Sequence, residues 1–171
     1  VLRLVDFPRP TIASVDGYAV GAGFNLALCC DLVVASDRAR FGELFCKLGL
    51  VPDGGGTWLL SRAVGLARAK ELIFTAEIID AAEAGRLGLV NRVVPAAELA
   101  VATRALADRI AAGPPRVLGL AKHMVNRAAS GDLAQALDLE AFSQGLAIAS
   151  EDHQEGLQAF FDKRPPRFTG R

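Results

Sequence analysis

Two glycine-rich segments carry the residues best suited to chemistry. The first is Gly17-x-x-x-Gly21-x-Gly23, set between an apolar run and a short apolar stretch with helical character. Backbone N–H groups at a helix start have no partner inside the helix and carry partial positive charge, and small side chains let a ligand oxygen approach them. This is what an oxyanion site requires, where negative charge develops on a carbonyl oxygen. The spacing fails as a dinucleotide fingerprint, because Leu26 stands where a third glycine or alanine belongs, and no lysine follows as in a phosphate loop. The competing reading is a tight strand-to-helix turn. The second segment is Val51-Pro52-Asp53-Gly54-Gly55-Gly56. Asp-Gly after proline is a turn signal, and Asp53 is suited to capping a helix that begins near Thr57. Alternatively Asp53 is a general base at the rim of an apolar pocket, with Leu48, Leu50, Val51 and Trp58 lowering the local dielectric. Other groups are weaker. His123 and His153 have no carboxylate or nucleophile at matching spacing. Ser14, Ser36 and Ser61 lack the sharp turn that exposes a nucleophilic serine. Glu43 reads as a solvated lone acid near a strand end.

A scaffold of alternating strands and helices must position these segments. Residues 10–16 and 32–36 read as buried strands flanking a short helix over 24–30, the pattern of a βαβ crossover with parallel strands. Residues 17–23 read as a loop, 40–42 as a short strand and 44–56 as a loop with two turns. A helix over 57–64 ends at Gly65, and another covers 66–75. Asp80-x-x-Glu83 has capping-box spacing for a short helix over 81–85, and 89–94 reads as a strand. Thereafter helical spacing dominates, over 98–111, 117–129, 133–150 and 151–161, broken by Gly113-Pro114-Pro115 and stopped by Pro165-Pro166. The basic tail, 163–171, reads as a solvated terminus.

Composition narrows the function classes. The 171 residues are 51% hydrophobic and 22% charged, the balance of a globular chain with a real core. Nineteen Lys and Arg offset 19 Asp and Glu, so neither nucleic acid nor a membrane surface is expected as a partner. No apolar run nears the roughly 18 residues of a membrane span. The three cysteines, two of them adjacent at 29 and 30, fit no disulfide framework and no zinc pattern. They read as buried small hydrophobes in a reducing cytoplasm, with no metal site expected. The sequence opens on Val1, and residues 1–6 read as the end of a helix already under way, as expected of a fragment or a processed product.

The segments PTIASVDGYAVGAGFNLALCCDLVVAS, ARFGELFCKLGLVPDGGGTWLLSRAVG and EGLQAFFDKRPPRF together resemble the crotonase family of enoyl-CoA hydratases and isomerases. The resemblance covers the whole chain, and KLGLVPDGGGTWLL is most similar to members that isomerise a ring epoxide. It implies an α/β fold: the C-terminal portion of a ββα spiral core over 1–112, then a helical trimerisation region over 113–171. It also implies an acyl-CoA thioester substrate, a homotrimer or hexamer, and no cofactor beyond the coenzyme A of the substrate itself. In the family an enolate oxyanion is held by two backbone N–H groups. One maps to Ala22, between Gly21 and Gly23; the other belongs to an upstream segment, which also carries much of the CoA surface and is not in this sequence.

The two glutamates of a hydratase fall at Asn25 and Phe45, and neither residue is a practical acid or base. The resemblance therefore implies an isomerase that shifts a double bond or opens a ring epoxide, with Asp53 as acid/base. Gly21, Gly23, Asn25, Phe45, Leu48, Gly54 and Trp58 would line the substrate. Phe160 and Lys163 correspond to the aromatic and basic residues that the last helix of the family lends to CoA; for Phe160 core packing is the alternative. Three other readings stay open: enoyl-CoA hydration, aryl-CoA dehalogenation with Asp53 as nucleophile, and a non-catalytic binding or oligomerisation module.

Overall fold

The computed structural model describes residues 1–171. The chain forms two compact units, one of residues 1–5 and 11–106, the other of 6–10 and 107–171. No helix is long and apolar enough to cross a membrane.

The first unit repeats one pattern, two short strands and then a helix. After a single turn, α1 (Leu2–Val5), come β1 (Ile12–Val15), β2 (Tyr18–Val20) and α2 (Ala22–Leu28). Then follow β3 (Leu32–Ser36), β4 (Arg40–Gly42), a 3-10 turn (Leu44–Leu48) and α3 (Gly56–Thr75). Successive repeats stack. β1 pairs in parallel with β3, Ile12 opposite Leu32, and β2 pairs in parallel with β4, Tyr18 opposite Arg40. β5 (Ile79–Asp80) joins β4 antiparallel, and β6 (Arg92–Val94) joins β3 in parallel, on either side of α4 (Ala81–Arg86). The result is two three-stranded sheets, ordered β1-β3-β6 and β2-β4-β5. α5 (Leu99–Ala111) follows.

β3 is apolar throughout because it is the central strand of its sheet; Val33, Val34 and Ala35 are all buried. Phe24 of α2 and Phe41 of β4 meet with ring centroids 5.5 Å apart. Leu60 and Leu72 of α3 complete this core, and burying each such side chain contributes about 1.5–3 kcal/mol.

Several local readings are corrected. Residues 17–23 are not all loop: Tyr18–Val20 forms β2, bounded by Gly17 and Gly21, both at positive φ. Glycines at both ends hide so short a strand. Residues 44–56 are not all loop either, since 44–48 form the 3-10 turn. The strand read over 89–94 begins only at Arg92, because Leu89 and Val90 still donate to the Ala84 carbonyl and bury their side chains. The capping box is half formed. Asp80 Oδ1 accepts the Glu83 N–H at 2.8 Å, but the Glu83 carboxylate is taken by Arg86 and Arg68. The break at Gly65 stands: α3 is kinked there, with φ 77 and ψ 163.

The second unit holds α6 (Pro115–Ala128), α7 (Leu133–Ile148) and α8 (Glu151–Phe161). α6 starts at Pro115, earlier than read, because a proline at the first helical position gives up no intrahelical bond. Asp132 and Ser150 cap the next two helices by accepting the Gln135 and His153 N–H groups. The tail is not a freely solvated terminus. The buried Asp152 accepts the Thr169 N–H at 2.7 Å and the Gly170 N–H at 2.9 Å, while Glu155 holds Arg164 and the Arg167 N–H.

Candidate functional site

Gly21 begins the site. Its φ of 52 with ψ of −124 is a conformation that L side chains rarely adopt. Its N–H donates to the Gly42 carbonyl at 2.8 Å, and its own carbonyl accepts the Asn25 N–H at 3.0 Å to open α2. Ala22 and Gly23 therefore sit in the first turn of a helix, exposed, where amides have no intrahelical acceptor. Half-buried Phe45 packs over this turn: a methyl group on Gly21 would lie 3.5 Å from Phe45 Cζ.

The Asp53 segment is a tight turn. Gly54 and Gly55 both have positive φ, and the Gly56 N–H closes the turn onto the Asp53 carbonyl at 2.9 Å. The same carbonyl accepts the side-chain Nδ2–H of Asn25, also at 2.9 Å. Gly54 abuts Asn25, since a methyl group there would lie 3.6 Å from its Cβ. The cap expected of Asp53 is not made by its side chain: Gly55 is the N-cap of α3, with no side-chain cap, and the Asp53 backbone carbonyl takes the Gly56 N–H instead. The carboxylate is left exposed.

The apolar wall expected around it is not formed within this chain. Leu48, Leu50, Val51 and Trp58 are 49–80% exposed. On α3, Leu60 points into the core, and Trp58, two residues earlier, therefore points outward. There it stacks beneath the Arg62 guanidinium, 4.2 Å from the ring centroid.

Glu43 overturns its sequence reading. It is fully buried, and neither carboxylate oxygen has a hydrogen-bond partner. Asn25 is 1% exposed, and its Oδ1 likewise has none. Both side chains close on Gly56: a methyl group there would lie 2.6 Å from Asn25 Oδ1 and 2.7 Å from Glu43 Oε1. Burial pushes the Glu43 carboxyl up to about 7; the Asn25 amide opposes the rise and the charge on Asp53 adds to it. A single acid between Gly42 and Leu44 has no periodicity to reveal its burial.

The structure thus gathers Gly21, Ala22, Asn25, Phe45, Asp53 and Gly54 around the start of α2, and adds Glu43 and Gly56 to them. Phe160 and Lys163 lie in the other unit, at the end of α8. Phe160 is 78% exposed, which rules out core packing for it within this chain, and Lys163 takes a left-handed φ of 54. Cys29 is buried, but Cys46 is exposed on the 3-10 turn, contrary to the reading of all three cysteines as core. No three His, Cys, Asp or Glu side chains converge as a metal ion would need.

Comparison with known proteins adds to this geometry. The family model described as enoyl-CoA hydratase/isomerase matches residues 1–171. A Mycobacterium tuberculosis protein named "Probable enoyl-CoA hydratase echA8" is 47% identical over 169 residues, covering 99% of this chain and 66% of its own length. The 1,2-epoxyphenylacetyl-CoA isomerase of Escherichia coli K12 is 44% identical over 171 residues, covering 100% of this chain and 65% of its own. A crystal structure of enoyl-CoA hydratase from Bacillus anthracis superposes with a TM-score of 0.96 at 38% identity, covering 98% of this chain and 65% of that one. The chain therefore spans about two thirds of the length of the relatives it matches.

Proposed function

Because the chain belongs to the enoyl-CoA hydratase/isomerase (crotonase) family and has its fold, we propose that it serves an acyl-CoA isomerase working through a thioester enolate. The observation that carries this reading is the placement of Asp53. Its backbone is held by two hydrogen bonds while its carboxylate stays unengaged, on a turn clamped to the helix that carries Ala22. Asn25 and Phe45 stand where the two hydratase acids would be, and neither transfers protons at neutral pH.

In the proposed cycle the thioester carbonyl accepts the Ala22 N–H and a second amide from outside this chain. The Asp53 carboxylate takes a proton from carbon: that C–H bond breaks, an O–H bond forms, and the electron pair moves onto the thioester oxygen. The enolate collapses as Asp53, its proton exchanging with solvent, returns a proton to a different carbon. Nothing is added or lost, so the double bond has moved; with a ring epoxide as the acyl group, the same acid/base serves ring opening. Each oxyanion donor is worth about 3–4 kcal/mol by the usual effect of deleting one. Phe45, packed on Gly21, would shield the nascent charge from water. No cofactor is required beyond the coenzyme A of the substrate. We further propose that the exposed apolar residues of α7 and α8, Phe142, Phe160 and Phe161 among them, are covered by other copies in a homotrimer or hexamer.

Hydration is the second reading, favoured by the hydratase name of the 47%-identical relative. One experiment separates the two. The whole protein is incubated with a panel of enoyl- and aryl-acetyl-CoA thioesters in deuterated water, and products are read by mass and by NMR. The proposal expects products isomeric with the substrate, deuterium at the shifted carbon, and loss of both in Asp53→Asn. A product heavier by one water, or isomerisation retained in Asp53→Asn, rejects it.

A further inference from the structure

A buried acid beside the site has no place in that cycle. Asn25 Nδ2 donates to the Asp53 carbonyl, which fixes the nitrogen end of the amide on that carbonyl. Oδ1 has no donor, and neither do Oε1 and Oε2 of Glu43, although both side chains are within 1% of complete burial and close on the same Gly56. Unsatisfied acceptors converging on one glycine in a dry site are unfavourable. A buried polar atom left unsatisfied costs about 1–3 kcal/mol, and more when it is charged. One proton placed between them satisfies both.

We propose that Glu43 is a positioning residue: as a neutral carboxylic acid it donates its proton to Oδ1 of Asn25, fixing the amide that clamps the Asp53 turn to α2. Loss of that proton would draw the Asn25 N–H toward the carboxylate, which it stabilises, and the amide would no longer be held toward Asp53. Asp53 is the charged group that bears on Glu43; its neighbours from α2 and α3, Asn25 and Gly56, are neutral. The clamp is thus a proton-dependent one, set beside the acid/base residue. Its catalytic consequence rests on the isomerase reading; its existence does not.

The test follows the Asn25 side-chain amide by 15N NMR in the whole protein from about pH 5 to about pH 9, assigned by its loss in Asn25→Ala. The expected result is a titration of the Asn25 resonances with a midpoint near that of Glu43, and solvent exchange about tenfold faster on the alkaline side beyond the acceleration that hydroxide catalysis gives a free amide. Glu43→Gln supplies an uncharged donor of the same shape, so its Asn25 signals are expected to be protected and independent of pH. Asn25 signals that do not move in the wild type overturn the proposal, as would the same titration persisting in Glu43→Gln. A buried water bridging the two side chains gives that overturning result. Isomerisation kinetics separate the two claims. If Asn25 titrates but no thioester exchanges protons, the clamp stands and the isomerase reading fails. If Asp53-dependent proton exchange is found with a silent Asn25, the reverse holds. If both hold, the alkaline fall in kcat shares the Asn25 midpoint and is absent in Glu43→Gln.

Discussion

The side chain of Asn25 and the backbone carbonyl of Asp53 are joined by a 2.9 Å hydrogen bond across 28 residues of sequence. That bond ties the first turn of α2 to the turn that opens α3. In the proposed cycle the amide that receives the thioester oxygen and the carboxylate that moves the proton are therefore carried on one frame. Asn25, where the family resemblance implies a hydratase acid, acts here as a strut.

The buried Glu43 makes stability depend on pH. Its pKa rises from 4.5 to about 7 on folding, chiefly through burial. Between those values the folded chain holds a proton that the unfolded chain has released. The stability it confers is fully present below about pH 4.5 and is lost as pH rises to about 7, by about 3 kcal/mol in all. Asp16, Glu83 and Glu155 have lowered pKa values, and their contributions fade only as pH falls below their unfolded values, outside this window. Urea midpoints measured at about pH 5 and pH 8 should be higher at the lower pH. Glu43→Gln should flatten the difference, and a wild type with no slope would show that Glu43 is hydrated.

Gly56→Ala should strike the same cluster by volume alone. The added methyl would lie within 2.5–2.7 Å of Asn25 Nδ2, Asn25 Oδ1 and Glu43 Oε1, three buried atoms. Overpacking of this kind costs about 1–3 kcal/mol. Thermal denaturation measures the loss, and an unchanged midpoint would mean that the pair has room to move.

Gly21 and Gly23 should respond differently to alanine. Gly21 has a left-handed φ of 52, so Gly21→Ala should cost about 1–3 kcal/mol in strain, although Phe45 at 3.5 Å leaves ordinary contact distance. It should also turn the Ala22 N–H and lower kcat more than it raises KM. Gly23 meets nothing within 4 Å and lies in α2, where alanine is favoured over glycine by about 0.5–1 kcal/mol. Equal destabilisation by the two substitutions in chemical denaturation would contradict the backbone argument.

Asp152→Ala should release the C-terminal tail. It strands the Thr169 and Gly170 N–H groups, which now donate to a buried carboxylate. Hydrogen bonds to charged groups contribute about 1.5–3 kcal/mol. Hydrogen–deuterium exchange at 169 and 170 should accelerate markedly, while exchange within β3 stays slow.

Much of this architecture is legible in local chemistry. The apolar run of β3, the strand over 40–42, the helix over 151–161 and the break at Gly65 each rest on neighbours in sequence. The turn at Asp53 is equally readable, because glycine adopts the positive φ values that follow it more readily than any other residue. β2 was hidden since a strand of three residues has no periodicity, and its partner β4 lies beyond α2 and β3.

Residue types alone settle that the chain is globular, that it alternates strand and helix, and that Asp53 sits in a glycine turn, because propensity and turn geometry act over a few bonds. Folding decided the rest: which atoms of Asp53 are engaged and which are free, that Trp58 faces outward, and that Glu43 is sealed from water against Asn25 and Gly56. Those outcomes depend on segments that meet only when successive ββα repeats stack. Burial, and with it the protonation of an acid, belongs to that stacking and not to any stretch of chain.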